Sequence, residues 1–329
     1  MYFAVTTSKT PTATRATTTT AGLRRTPLTP EMAPAWSHLH AIIADDDGGK
    51  WKPTPTELAE ELQPSSTFDP AQQTWAVWSG EEMIAFALAG VRSAPRYDGT
   101  NSAFIIGGVH PDWRGHGLGS ELLERTERRG AERARALVPG VPLVFNAMTT
   151  ATAPAASEFL TDHGYEQVRY WFDMTHDLQG DFTDDPRTQP LSPEHSEAVR
   201  LAHNDAFSTH WGSAPISAEN WHRLTRSAGL RPDLSRIVVE DGEVLAYTLV
   251  SSNLPGEAYF DLVGVRGGAQ GRGLGRAVLT SGLAAIREEG SFTEAGLDVD
   301  ADNPSGAGRL YTSAGFTNAA KTITWEKSP

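Results

Sequence analysis

Gly108-Val109-His110-Pro111-Asp112-Trp113-Arg114-Gly115-His116-Gly117-Leu118-Gly119 and Gly264-Val265-Arg266-Gly267-Gly268-Ala269-Gln270-Gly271-Arg272-Gly273-Leu274-Gly275 are one passage written twice, 156 residues apart. Six of the twelve positions are identical, and each copy carries Arg or Gln, then glycine three and five residues later. In both, a β-like run ending in Gly-Val enters a glycine-rich turn and a helical pattern follows. Repetition on this scale predicts two copies of one supersecondary unit. The turn has a chemical meaning as well. A strand that enters a helix through residues without side chains exposes consecutive backbone N–H groups at the positive end of the helix dipole, and such a turn cradles a pyrophosphate.

The elements on either side repeat in the same order. In the first half, strand patterns cover residues 23–28, 75–78, 83–91, 103–109, 141–147 and 166–174, with helical spacing at 30–44, 56–62, 121–136 and 154–163. In the second half, helices are expected at 192–206, 277–288 and near 307–313, and strands at 237–240, 244–251, 257–265, 296–301 and 322–325. The expected domains are residues 23–178 and 190–329, joined by a polar linker at 179–189 and preceded by a flexible Thr-rich tail at 1–22.

Composition narrows the chemistry. A chain of 329 residues is long enough for two domains, each with its own core. It has no cysteine, which excludes disulfides, thiolate metal sites and a thiol nucleophile. The net charge of −13 argues against nucleic acid as the main partner, because affinity for phosphates depends on Lys and Arg. No apolar run reaches membrane-spanning length, the first residues lack the apolar core of a signal peptide, and the ten histidines show no metal-ligand spacing with carboxylates. A cytoplasmic chain without a metal is expected.

Both glycine loops resemble the Arg/Gln-x-x-Gly-x-Gly/Ala signature of the GNAT superfamily of acyl-CoA N-acyltransferases. The two-unit order is similar to the mycothiol synthase-like tandem proteins of actinobacteria. The resemblance implies an α+β fold of two tandem GNAT domains, each a mixed, mostly antiparallel sheet flanked by helices. It also implies acetyl-CoA, or another acyl-CoA, as the cofactor. Its binding residues would be Val263, Val265, Gln270, Gly271, Arg272, Gly273, Leu274, Gly275, Arg276 and Asn303, and Val109, Arg114, Gly115, His116, Gly117, Leu118 and Gly119 would form a second cofactor site. By the same resemblance Tyr311, four residues before Gly315-Phe316, is the candidate acid for the departing thiolate. Leu160 holds the corresponding place before Gly164-Tyr165 and has no proton to give.

An attacking amine must lose a proton, so a base is expected on the strand before the loop. Strict alternation places Glu257, Tyr259, Asp261, Val263 and Val265 on one face of that strand. Related enzymes place a Glu where Tyr259 stands, which leaves Asp261 or Glu257 as the base. His210, Trp211, Tyr259 and Asp298 are candidates to contact the acceptor, and Asp298, Asp300 and Asp302 alternate along one strand. The expected function is transfer of an acetyl group, within a ternary complex, to the primary amine of a small molecule such as an aminosugar or antibiotic. The second unit would catalyse it and the first would be a non-catalytic relic. The alternatives are a longer acyl donor, a protein amine as acceptor, or an acyl-CoA-binding protein without catalysis.

Overall fold

A computed structural model describes residues 22–303 and 305–329, so all but the last residue of the Thr-rich tail lies outside the described residues. In chain order the elements are β1 (Arg24–Thr26), α1 (Ala33–Asp47), α2 (Pro55–Glu61), α3 (Pro70–Gln73), β2 (Thr74–Ser79), β3 (Glu82–Val91), β4 (Asn101–Val109), α4 (Leu118–Leu137), β5 (Leu143–Thr150), α5 (Pro154–Asp162) and β6 (Glu166–His176). They continue with β7 (Thr188–Pro190), α6 (Ser196–Ala206), α7 (Ala218–Leu224), β8 (Arg236–Glu240), β9 (Glu243–Ser251), β10 (Glu257–Val265), α8 (Leu274–Glu289), β11 (Glu294–Asp300), α9 (Ala307–Ser313) and β12 (Thr317–Lys327). The short elements α3, α7 and β7 carry too little periodicity to be read from sequence.

The chain forms two compact units, but the division differs from the expected one. The first unit contains the described residues up to Pro95, then Gly99–Tyr170 and Lys321–Pro329; the second contains Arg96–Asp98 and Trp171–Ala320. The chain thus leaves the first unit within β6 and returns to it within β12. The residues expected to be a linker belong to the second unit. There the Asp185 N–H donates to Ser281 Oγ on α8 at 2.8 Å, and β7 pairs with β8.

Each unit repeats one ladder. In the first, β1–β2, β2–β3 and β3–β4 are antiparallel, β4–β5 is parallel, and Thr322–Lys327 of β12 pairs antiparallel with β5. In the second, β7–β8, β8–β9 and β9–β10 are antiparallel, β10–β11 is parallel, and Trp171–His176 of β6 pairs antiparallel with β11. In both units the sheet is mixed and mostly antiparallel.

Helix–sheet packing follows from side-chain spacing. On α4, Leu118, Leu122, Leu123, Thr126, Gly130, Ala131 and Ala134 are buried at helical intervals, while Glu121 and Arg125 pair on the exposed side. Helix α8 buries Leu274, Val278, Ser281, Gly282 and Ile286, and Gly282 lets Phe260 close in, since a Cβ there would lie 2.7 Å from the ring. Glycine in a helix costs propensity, which this close approach offsets.

The returning strand is a large part of the first unit's core. Ile323 and Trp325 pack with Phe145, Ala147, Phe159 and Leu160, and the Trp325 indole donates to Thr149 Oγ1 at 2.9 Å. Trp325→Ala should therefore destabilise the first unit by about 3–5 kcal/mol, the usual cost of emptying an aromatic site. Urea unfolding monitored by amide exchange in β4 and β5 checks this; an unchanged midpoint contradicts it.

Candidate active site

In both units the two glycine loops have the same backbone. A single 3-10 turn (Pro111–Trp113 in one, Gly267–Ala269 in the other) is followed by two glycines with left-handed φ: 77° and 81° at Gly115 and Gly117, and 76° and 75° at Gly271 and Gly273. The second of each pair caps the long helix behind it. No atom lies within 4 Å of where a Cβ on Gly273 would be, so the approach to the loop is open. The first N–H groups of α8 have no intrahelical acceptor. Around them Arg272 is held by both Glu240 carboxylate oxygens at 2.7 and 2.8 Å, Arg276 donates to Ser313 Oγ at 2.6 Å, and the Gly267 N–H donates to Asp205. The loop fits the pyrophosphate of a coenzyme A.

The parallel pairing next to each loop is short. β10 and β11 are in register only from Glu257↔Glu294 to Phe260↔Leu297, while β10 continues along β9 to Val265. β4 and β5 likewise part after Phe104↔Asn146. Beyond these points one edge of β10 faces a gap, so the backbone at Val263 and Val265 is available to the amides of a pantetheine arm.

The second unit differs from the first at the opening of this gap. Between Phe260↔Val250 and Leu262↔Leu249 the β9–β10 register slips by one residue, and the extra residue is Asp261. β4 runs along β3 from Ala103 to Val109 without a shift. The bulge overturns the expected alternation of side chains. Ala258 and Phe260 pack with the α8-side core, and so do Val263 and Val265; Leu262 packs instead with Tyr247, Val199 and Trp221. Val263 and Val265 therefore do not share a face with Glu257 and Tyr259. An inserted residue reverses the parity of every residue after it.

At the bulge, Asp261 Oδ1 accepts a hydrogen bond from Ser251 Oγ at 3.0 Å. One flank of the residue is open to solvent, yet its carboxyl group is crowded enough that lost hydration is the main influence on it. The Ser251 bond opposes that effect and the Asp298 charge adds to it, and the pKa is pushed up to about 6. Glu257 and Tyr259 lie over Gly296 of β11, where a Cβ would come within 2.8 Å of the Glu257 carboxylate and 2.7 Å of the Tyr259 ring. Asp298 is exposed on the same strand. Asp300 is buried and accepts from the Asp302 N–H at 3.0 Å, and the strand ends at Asp300, so the three aspartates do not form one row.

Tyr311 on α9 is buried against Phe316, with ring centroids 6.2 Å apart, and burial pushes its phenol upward, so it is protonated at neutral pH. Asn303 lies in the turn before α9, its side-chain oxygen accepting from the Ser305 N–H at 2.9 Å. Gln270 is exposed.

His210 and Trp211 lie after α6. The His210 ring is 5.8 Å from Trp171 and 5.3 Å from Phe207. Three residues that the sequence did not single out join them in this unit. Arg96 is buried with its guanidinium 4.9 Å from the Trp211 ring, Tyr97 donates two bonds, through its N–H to the Ser213 carbonyl at 2.9 Å and through its hydroxyl to the Asn204 carbonyl at 2.9 Å, and Asp98 pairs with Arg96. Nothing in the local pattern of residues 96–98, distant in sequence from α6, signals this position.

The same places in the first unit carry different side chains, around a narrow cleft between β4 and α4 lined by Ile105, Gly107, Leu122 and Thr126. Leu160 is in the core, β4 presents Ile105, Ile106 and Gly107, and a ring cluster of Trp36, His40, Trp51 and Phe86 packs beside them. Burial lowers the His40 pKa to about 3. Arg114, at the position of Gln270, is buried with its Nε donating to the Val109 carbonyl at 3.2 Å and its guanidinium paired to Asp46 at 2.6 Å. His116 is half-buried, its Nδ1 3.0 Å from the Arg114 carbonyl.

Comparison with known proteins agrees with this geometry. Residues 36–147 and 196–316 each match the Acetyltransferase (GNAT) family, together more than half of the chain. A mycothiol acetyltransferase of Rothia mucilaginosa is 28% identical over 328 residues, covering 88% of this chain and 88% of its own. One from Nocardiopsis dassonvillei is 29% identical over 241 residues, covering 63% and 69%. The crystal structure of a GCN5-related N-acetyltransferase from Sphaerobacter thermophilus superposes with a TM-score of 0.73 at 25% identity, covering 93% of this chain and 95% of that one. A tandem GNAT protein from the clavulanic acid biosynthesis pathway shares the fold, with a TM-score of 0.69 at 18% identity and coverage of 93% and 98%. With two glycine loops, two splayed strand pairs and two family matches, the chain belongs to the acetyltransferase (GNAT) family, as a tandem N-acyltransferase whose cofactor is acetyl-CoA.

Proposed function

We propose that the second unit transfers the acetyl group of acetyl-CoA to the primary amine of a small molecule, of the aminosugar, antibiotic or related metabolite class, by direct attack in a ternary complex. One observation carries this reading: a bulged carboxylate and a buried tyrosine flank the same strand opening in the second unit, and the first unit has neither. The mycothiol acetyltransferase relatives support a small-molecule acceptor.

The thioester supplies an activated acetyl group and a thiolate leaving group. Asp261 accepts a proton from the amine, directly or through water, with Glu257 as the alternative base. Tyr311 donates a proton to the sulfur, and a backbone N–H near Val263 polarises the carbonyl. Residues Gln270 to Arg276 hold the pyrophosphate, and Asn303 the pantetheine arm. His210, Trp211, Tyr259 and Asp298 border the acceptor.

Asp261 sets the pH dependence. Its pKa is raised to about 6, so the basic form is lost below that pH and kcat/KM should rise with pH through about 6. Ser251→Ala removes a bond that favours the carboxylate and should move this limb upward; Asp298→Asn removes a repelling charge and should move it downward. Opposite or absent shifts in pH–rate profiles would remove Asp261 from the role of base.

Tyr311→Phe should lower kcat by roughly 10²-fold with acetyl-CoA affinity nearly unchanged, in the range of positioned acid catalysis. Steady-state kinetics beside calorimetry separates this from a packing role, for which affinity would fall and kcat would hold.

Gly273→Glu adds a charged side chain where φ is 75°. It should weaken acetyl-CoA binding by about 100-fold or more, comparable to losing a set of charge-assisted hydrogen bonds. Gly117→Glu in the first unit should leave turnover intact. Calorimetry and turnover of the two variants check the assignment, and loss of turnover from Gly117→Glu alone in a folded protein would reverse it.

A further inference from the structure

A serine and a histidine meet at the start of α4 in the first unit. Ser120 Oγ lies 2.9 Å from His163 Nε2, and His163 Nδ1 lies 2.7 Å from the Phe159 carbonyl oxygen. A carbonyl oxygen only accepts, so Nδ1 carries the proton of the neutral ring and Nε2 presents its lone pair to the serine hydroxyl. The order of donors is thereby fixed, from Ser120 O–H to His163 Nε2 and from His163 Nδ1–H to the carbonyl. The ring is also held by packing against Phe159, with centroids 4.1 Å apart. Ser120 is exposed and His163 half-buried, so a molecule from solvent can reach the hydroxyl.

The backbone around the hydroxyl supplies a third part. Gly117 caps α4, and the Glu121 N–H donates to the Gly117 carbonyl at 3.0 Å. The N–H groups of Leu118, Gly119 and Ser120 come before that bond and have no acceptor within the helix. At the positive end of a helix dipole they suit a negative oxygen. The dyad is not a general feature of the fold. The second unit has Arg276 and Ala314 at the corresponding positions, and Arg276 donates to Ser313 Oγ at 2.6 Å.

A nucleophile, a base oriented by a further group, and donors for an oxyanion are the parts that covalent acyl transfer requires. We propose that Ser120 and His163 form a nucleophilic dyad that hydrolyses small carboxylic esters, an activity separate from acetyl transfer in the second unit. Ser120 Oγ attacks the ester carbonyl carbon while its proton passes to His163 Nε2. The bond from the carbonyl carbon to the alcohol oxygen breaks, and the imidazolium gives that proton to the departing oxygen. Water then attacks the acyl-serine; one of its protons passes through His163 to Ser120 Oγ, and the carboxylic acid leaves. The helix N–H groups hold the oxyanion in both steps, and the Phe159 carbonyl keeps the imidazole in the tautomer that can accept the proton.

The test treats the full chain, without acyl-CoA, with a fluorophosphonate, which bonds covalently to activated serines. Mass spectrometry of the tryptic peptides should find the adduct on Ser120. p-Nitrophenyl acetate should be hydrolysed, with an acetyl group trapped on the same residue by acid quench. Ser120→Ala should remove both signals. His163→Gln, whose amide can hydrogen-bond the serine but cannot take its proton, should slow labelling by roughly 10²-fold or more, the usual contribution of a positioned base, and His163→Phe should do the same. Thermal melts of each variant establish that folded protein is being compared. An unlabelled Ser120 in the folded wild-type chain, or labelling of either His163 variant at the wild-type rate, overturns the proposal.

Discussion

The parting of β10 from β11 after Phe260 and Leu297 is the constraint on which the rest of the second unit depends. Buried backbone donors and acceptors must find partners, and a parallel pair that stops pairing while one strand continues leaves a row of them facing a gap. A ligand with its own amides satisfies that row. The glycine loop lies at the end of the same strand, so in the proposed function one chain segment delivers both an edge for the pantetheine arm and an anion cradle for the pyrophosphate. The long helix α8 then serves two purposes, as half of the core and as a source of positive potential at its first turn.

In the proposed function, a one-residue insertion in the ladder is what turns this scaffold into a site for chemistry. By bulging, β10 turns Asp261 toward Ser251 and the opening while Val263 and Val265 fall back against α8. The side chain gains a crowded setting and an acidic neighbour in Asp298, and both favour its protonated form; the Ser251 bond pulls the other way. The balance leaves a carboxylate that changes charge near neutrality, the condition under which a general base is most useful. Tyr311 has the complementary environment, in which burial keeps a phenol neutral until a stronger base forms beside it.

The first unit shows what the scaffold does without these changes. Its loop has the same left-handed glycines and its strands part at the equivalent place, yet the ladder has no bulge, Leu160 replaces the tyrosine, and Trp36, His40, Trp51 and Phe86 pack at the opening. Arg114 is committed to Asp46 and to the Val109 carbonyl. The two copies share the backbone physics of the turn, which depends on glycine, while the side chains around it differ.

The sequence by itself determined the repeat, the order of strands and helices, the loop geometry and the Tyr-for-Leu difference between the two copies, because each rests on local features: glycines that alone tolerate positive φ, apolar spacing, and a Tyr or Leu at a fixed distance from Gly-Phe or Gly-Tyr. It also named Asp261, though on a face computed by strict alternation. Only the tertiary structure decided the bulge, since a register slip between β9 and β10 depends on the partner strand and leaves no mark in the pattern of β10 alone. The unit boundaries were beyond local reading for the same reason: the strand Thr322–Lys327 looks like any closing strand of the second half until its pairing with β5 assigns it to the first. Arg96 likewise meets Trp211 from a distant stretch of chain, and Ser251 meets Asp261 only once β9 and β10 have paired.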